Sequence, residues 1–194
     1  MARISLTGQV HKTLLAHIKD GATCIDATAG NGFDTLLLAS HAGKTGHIYA
    51  FDIQQQAIDN TNKRLAEAGV SERVTLICAG HETMLEQVPV TEHGKIDIIV
   101  FNLGYLPRTD KSVTTIESTT LQALNSSLKL LSSRGYISIL AYPGHPGGRE
   151  ETEAVKAWAN NLPAIFDVRI HEPENNGGSS PERIEINAIA EWPD

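Results

Sequence analysis

The stretch Ala22-Thr23-Cys24-Ile25-Asp26-Ala27-Thr28-Ala29-Gly30-Asn31-Gly32-Phe33-Asp34-Thr35 constrains the fold more than any other part of the chain. A short apolar run breaks into a turn with two glycines, and a leucine-rich helix follows. Gly30 and Gly32 carry no Cβ, so the backbone can reverse sharply and a ligand can approach it closely. The helix that begins near Phe33 directs its unpaired N–H groups into the same space. Strand, glycine turn and helix in this order predict an open parallel sheet with a pocket at the strand's carboxyl end.

The rest of the chain continues the alternation of apolar runs and helical stripes expected of crossover connections. Strands are predicted near residues 23–27, 47–52, 74–79, 96–102 and 136–142, and helices over 33–42, 55–68 and 115–131. The last of these helices places Ile116, Leu121, Leu124, Leu128 and Leu131 on one stripe, while Gly43 and Gly69 act as stops. A further helix is expected from about 149 to 161, ended by Pro163, and the runs 166–171 and 183–190 form a terminal hairpin. The predicted fold is α/β and Rossmann-like: a seven-stranded, mostly parallel sheet with an antiparallel last strand and helices on both faces, an arrangement shared with class I methyltransferases.

No proline-rich, serine-rich or single-charge run marks a linker, so residues 1–194 are read as one domain. Cys24 and Cys78 fall in strands expected to be neighbours, and both are read as small buried hydrophobes. Nothing in the sequence has the length and apolarity of a signal core or a membrane span, so the cytoplasm is the expected location. Sixteen basic residues stand against 23 acidic ones, a net charge of −7, which disfavours a general nucleic-acid binder.

The glycine turn alone does not choose between a dinucleotide and S-adenosyl-L-methionine. Three residues after Gly32 stands Thr35, so the third glycine of the dinucleotide pattern is missing. Asp26 puts a carboxylate at the strand end, where an ammonium and a sulfonium are attracted to it directly or through water. Asp52 ends the second run roughly 20 residues beyond the turn and can accept both ribose hydroxyls of either cofactor class. The sulfonium cofactor is the favoured reading.

Two further loops carry chemistry. Asn102-Leu103-Gly104-Tyr105 follows the fourth strand: the Asn102 amide oxygen and the Leu103 carbonyl can accept N–H bonds from an amine, and Tyr105 can stack on a flat target. Arg108 and Lys111, close behind, make a small basic patch in an acidic chain. The fifth strand leads into Tyr142-Pro143-Gly144-His145-Pro146-Gly147-Gly148, whose prolines and glycines can fix the His145 imidazole as a proton acceptor. His81 follows the third strand. The remaining histidines, His11, His17, His41, His47, His93 and His171, show no ligand spacing, so no metal is expected.

Taken together, DATAGNGFDT (26–35), FDIQ (51–54), GHE (80–82), NLGYLP with DK (102–111) and YPGHPGG (142–148) resemble the bacterial rRNA methylase family, whose members include the methyltransferase acting on 5-aminomethyl-2-thiouridine at the tRNA wobble position. The likeness departs at Arg108-Thr109, where the family usually has Gly-Gly. Asn175-Asn176 and Ser180-Pro181 resemble the family's Asn-rich segment. The resemblance implies a cofactor site of Asp26, Thr28, Gly30, Asn31, Gly32, Asp34, Thr35, Asp52, Gln54, His81, Glu82 and Asn102. It implies a substrate side of Tyr105, Arg108, Lys111, Tyr142 and His145, with Asn102, Tyr105 and His145 in the chemistry. The implied activity is methylation of the amine of 5-aminomethyl-(2-thio)uridine in a tRNA anticodon stem-loop. One small acidic subunit offers such a stem little surface, which favours a homodimer. The competing readings are an rRNA or small-molecule amine acceptor, and an RNA-binding or assembly protein with a vestigial pocket.

Overall fold

Alternation of side chains along each strand places apolar groups on both faces, and the chain covers both with helices. The computed structural model describes residues 5–105, 114–171 and 180–190. Its elements run α1 (Leu6–His17), β1 (Thr23–Asp26), α2 (Phe33–His41), β2 (His47–Asp52), α3 (Gln55–Ala68), β3 (Val74–Cys78), α4 (Met84–Gln87), β4 (Ile96–Leu103), α5 (Glu117–Leu130), β5 (Leu131–Ala141), α6 (Gly148–Asn160), β6 (Phe166–His171) and β7 (Glu182–Ala188). The sheet order is β3-β2-β1-β4-β5-β7-β6. Pairing is parallel from β3 to β5, and β7 lies antiparallel between β5 and β6. The winding direction reverses between β1 and β4, which opens a crevice at their carboxyl ends.

β4 shows the two-sided burial of a central strand. Ile99, Phe101 and Leu103 pack with Ile25, Phe51, Leu124 and Val155 on one face. Ile98 and Val100 pack with Cys24, Ile48, Leu38 and Leu65 on the other. The expected terminal hairpin is present as β6 and β7.

Three features depart from expectation. Helix α1 has only a thin apolar stripe, Val10 and Leu14 being its buried residues, so periodicity gives little sign of it; Ser5 caps it by accepting the Gly8 N–H at 3.1 Å. β5 begins at Leu131, directly after α5, and the irregular register between Ile96 and Ile98 absorbs the early start. Strand β2 separates β1 from β3, so Cys24 and Cys78 are not on neighbouring strands; Cys24 is buried and Cys78 exposed. Among the described residues, no helix is long and apolar enough to cross a membrane.

Candidate functional site

The turn between β1 and α2 is held from behind by Asp26. Its carboxylate is fully buried, accepting the Thr35 hydroxyl at 2.6 Å and the Thr28 N–H at 3.2 Å. Burial, with Asp34 negative nearby, pushes Asp26 above the usual carboxylate range. Of the two routes expected for Asp26 toward a cationic ligand, directly or through water, the direct one has no open face in this arrangement. Asp26 and Thr35 shape the loop, and neither lines the cavity. Gly32 is likewise turned to the protein: at φ +77° it starts α2, and a Cβ there would come within 2.9 Å of the Thr61 Cα on α3. It serves close packing of two helices rather than approach of a ligand.

Thr28, Gly30 and Asn31 do face the cavity. Gly30 (φ +54°) donates its N–H to Asp52 Oδ2 at 2.9 Å, and Gln54 donates its N–H to Oδ1 at 2.9 Å. Burial raises Asp52, and those two backbone donors oppose it. Each oxygen retains a lone pair for a ligand hydroxyl. The Asn31 carbonyl accepts Arg64 Nε at 2.7 Å, and the Arg64 guanidinium lies 3.8 Å over the Phe33 ring.

The cavity, about 1310 Å³, runs along the carboxyl edge of the sheet from the β2–β3 side to the loop after β5. Gln54, His81 and Glu82 line it as expected. His81 packs edge-on against Phe101 and is hydrogen-bonded to the Ala27 backbone; burial pushes its imidazole below the usual histidine range, against the charge of Glu82 and that hydrogen bond. Four large apolar residues exposed at this cavity are Phe33, Ile53, Ile116 and Tyr142. Sequence reasoning missed the first three; Ile53 had a signal, an apolar residue directly after the strand-end acid.

On the far wall, Asn102 is fixed twice. Its backbone N–H donates to Thr28 Oγ1 at 2.7 Å, and its side-chain Nδ2 donates to Asp34 Oδ2 at 2.7 Å. The other Asp34 oxygen meets His11 Nε2 of α1 at 2.5 Å. His11 and Thr7, both missed from sequence, line the cavity, and Thr7 is hydrogen-bonded to the Tyr142 hydroxyl. Burial and the charge of Asp34 raise the Tyr142 phenol.

The second acceptor expected beside Asn102, the Leu103 carbonyl, already holds one hydrogen bond and its residue is not among those lining the cavity. Leu103 is fully buried and its carbonyl takes the Tyr142 N–H at 3.1 Å, continuing the β4–β5 pairing. Tyr105 lines the cavity with its ring edge-on to His145, centroids 6.1 Å apart. His145 is placed at the wall, but its nitrogens are turned to protein. Nδ1 lies 3.0 Å from the Pro146 carbonyl and 3.3 Å from Thr114 Oγ1. Nε2 is buried over Gly148, 4.0 Å from Glu151 Oε2. Glu151 is itself buried and holds the Thr115 and Thr120 hydroxyls at 2.8 and 2.6 Å. The imidazole thus packs over the first turn of α6 with no hydrogen bond from Nε2, and in this arrangement neither ring nitrogen is aimed at the cavity as the expected proton-acceptor role requires. Arg108, Lys111, Asn175 and Asn176 lie outside the described residues.

The sequence pattern of the family described as "Putative rRNA methylase" matches residues 48–186. A chloroplastic tRNA (mnm(5)s(2)U34)-methyltransferase of Arabidopsis thaliana is 42% identical over 172 residues, an alignment covering 81% of this chain and 62% of the relative. The chain thus spans less than two-thirds of that relative's length. A crystal structure from Clostridium thermocellum, of the same description as the family, superposes with a TM-score of 0.90 at 36% identity, covering 97% of this chain and 100% of the other. A Streptococcus mutans structure in complex with SAH gives 0.82 at 32% identity, covering 96% and 98%.

Proposed function

The chain belongs to this rRNA methylase family, and on that premise we propose that it transfers a methyl group from S-adenosyl-L-methionine to the amine of 5-aminomethyl-(2-thio)uridine at the wobble position of a tRNA anticodon. The Arabidopsis relative's name supports the acceptor, and the SAH bound by the Streptococcus mutans protein supports the donor. The observation that carries the reading is the double anchoring of Asn102 on the wall of the cavity that Asp52 also lines.

The residues present suit such a donor. The Gly30–Asn31 main chain is open to the cavity, Asp52 has lone pairs for ribose hydroxyls, and exposed Ile53 beside it offers an apolar face to an adenine. When bound, S-adenosylmethionine supplies a methyl carbon made electrophilic by its sulfonium. Asn102 Oδ1 accepts an N–H of the acceptor amine and turns its lone pair inward. Alignment is the major contribution, because a correctly aimed amine needs no covalent enzyme intermediate. Transfer from water into the cavity disfavours the ammonium form, which supplies neutral amine near pH 7. With His145 turned to Glu151, the released proton passes to water. Tyr105 stacks on the uracil, a contact worth about 1–3 kcal/mol in single-stranded recognition. Arg108 and Lys111 meet backbone phosphates. The reading sets the reaction in the cytoplasm, with a homodimer giving the anticodon stem a larger surface.

The test is Asn102→Ala, assayed with labelled donor and tRNA from a strain lacking the enzyme, followed by nucleoside analysis. Turnover falls at least tenfold while the donor dissociation constant stays within about twofold, as expected for an interaction made with the acceptor. Equal loss of binding and turnover would move Asn102 to the donor site. Label in rRNA or in a free amine instead of tRNA would overturn the acceptor assignment.

A further inference from the structure

Helix α1 packs on the sheet through Val10 and Leu14 and stacks His17 on Tyr136 of β5; of its two cavity-lining residues, Thr7 and His11, the second lies against a group already committed to Asn102. We propose that His11 is a positioning residue: by donating to Asp34 it holds that carboxylate against the Asn102 amide and so keeps Asn102 Oδ1 turned toward the acceptor amine. The proposal rests on the methyl-transfer reading above for its kinetic consequence, and on the ligand-free protein for its structural one.

The chain of contacts is continuous. His11 Nε2 lies 2.5 Å from Asp34 Oδ1, and Asn102 Nδ2 lies 2.7 Å from Asp34 Oδ2. Asp34 is 12% exposed and His11 28%, so the pair is screened by water far less than a surface pair. A carboxylate only accepts hydrogen bonds, so both neighbours must present donors to it. For Asn102 this decides which edge of the amide faces Asp34: the flipped amide would set an oxygen against an oxygen. With the NH₂ edge taken and the backbone N–H held by Thr28, Oδ1 is the acceptor left for a ligand. For His11 it requires Nε2–H, and the Asp34 hydrogen bond raises the imidazole pKa against the opposing effect of burial.

Removing His11 frees one Asp34 oxygen and allows the carboxylate to rotate about its Cβ–Cγ bond, taking the Asn102 amide with it. The carboxylate would then be steered by water rather than by α1. The Asn102 backbone bond to Thr28, Asp52 and the Gly30–Asn31 turn all stay in place, and with Asp34 and Asn102 read as facing the acceptor rather than the donor, donor binding is spared.

The experiment compares His11→Ala, His11→Gln, Asn102→Ala and the double variant His11→Ala/Asn102→Ala. His11→Ala lowers kcat about tenfold, with donor affinity and RNA KM within about twofold, and His11→Gln, which restores an N–H donor, recovers most of the loss. In the Asn102→Ala background His11→Ala has no further effect, because the residue it acts through is gone. Multiplying losses in the double variant, or a Gln variant as poor as Ala, overturn the proposal. A readout without substrate separates its failure from failure of the acceptor reading. In ¹H–¹⁵N spectra of the ligand-free enzyme, the Asn102 side-chain NH₂ resonances, identified by their loss in Asn102→Ala, shift and exchange faster in His11→Ala and return in His11→Gln. Unchanged resonances in His11→Ala overturn the linkage whichever RNA the enzyme methylates.

Discussion

Gly32 and Gly69 adopt nearly the same left-handed conformation, φ +77° and +67°, in different surroundings, and the pair separates torsion from packing. An alanine Cβ at Gly69 meets nothing within 4 Å, whereas at Gly32 it comes to 2.8 Å from Thr61 Oγ1 and 2.9 Å from Thr61 Cα. The hydroxyl could rotate away; the Cα could not without shifting α3. The torsional penalty common to both variants is about 1–2 kcal/mol. Overpacking at Gly32 adds about 1–3 kcal/mol, so Gly32→Ala destabilises by about 2–5 kcal/mol in all. Urea unfolding at fixed temperature reads both, with the m-value checked for constancy. Calorimetry with S-adenosylmethionine supplies a second readout: the shift relayed through Gly30 and Asn31 weakens donor binding in Gly32→Ala and leaves Gly69→Ala unaffected. Equal destabilisation of the two variants, within about 0.5 kcal/mol, would refute the claim that Gly32 exists to let α2 and α3 approach.

Two other outcomes follow from the contacts described. Asp52→Asn weakens S-adenosylmethionine binding by at least about tenfold, since hydrogen bonds to a charged acceptor contribute about 1.5–3 kcal/mol; an unchanged calorimetric constant would remove Asp52 from the donor site. Glu185 is pushed up by burial, but hydrogen bonds from His171 and Tyr136 and the charge of Arg183 outweigh this and hold it below the usual 4.5. Its stabilising contribution is therefore complete above the unfolded-state value and lost as pH falls through the lower folded one. Glu185→Gln flattens the thermal midpoint between about pH 5 and pH 3, and an acid limb identical to that of the unaltered protein would refute the assignment.

What could be read from the sequence was what local pattern determines. The strands at 47–52 and 74–79, the helix stop at Gly69 and the acid at position 52 are each fixed by neighbours in sequence, and each stands within a residue or so of its expected place. Helix α1 escaped because two buried residues in 12 make no stripe, and with it went Thr7 and His11. The bond already held by the Leu103 carbonyl could not be foreseen because its partner is a backbone group, the Tyr142 N–H, on a strand whose register no side-chain pattern reports. For His145, the density of proline and glycine gave rigidity but not direction: the ring points to Glu151 because α6 starts at Gly148, whose missing Cβ makes room for it.

Asp26 shows the same divide at the centre of the site. An acid at the end of a first strand can face a ligand or hold the turn behind it, and the residue alone does not distinguish them. Thr35 decides the matter here: one turn into α2, its hydroxyl reaches back 2.6 Å to the Asp26 carboxylate and draws it under the loop. The cavity's negative charge then rests on Asp34, Asp52 and Glu82, which line it, and not on Asp26, which does not. Of these three, Asp52 is held by two backbone amides and Asp34 by His11 and Asn102. Under the proposed function the carboxylate that would serve the donor, Asp52, is fixed in part by the glycine turn, and Asp34, expected from sequence on the cofactor side, is instead tied to Asn102 on the acceptor side by a helix that precedes the sheet. If the proposed reading holds, a change in α1 alters the acceptor side and leaves donor affinity intact, a separation that neither the strand order nor the glycine motif contains.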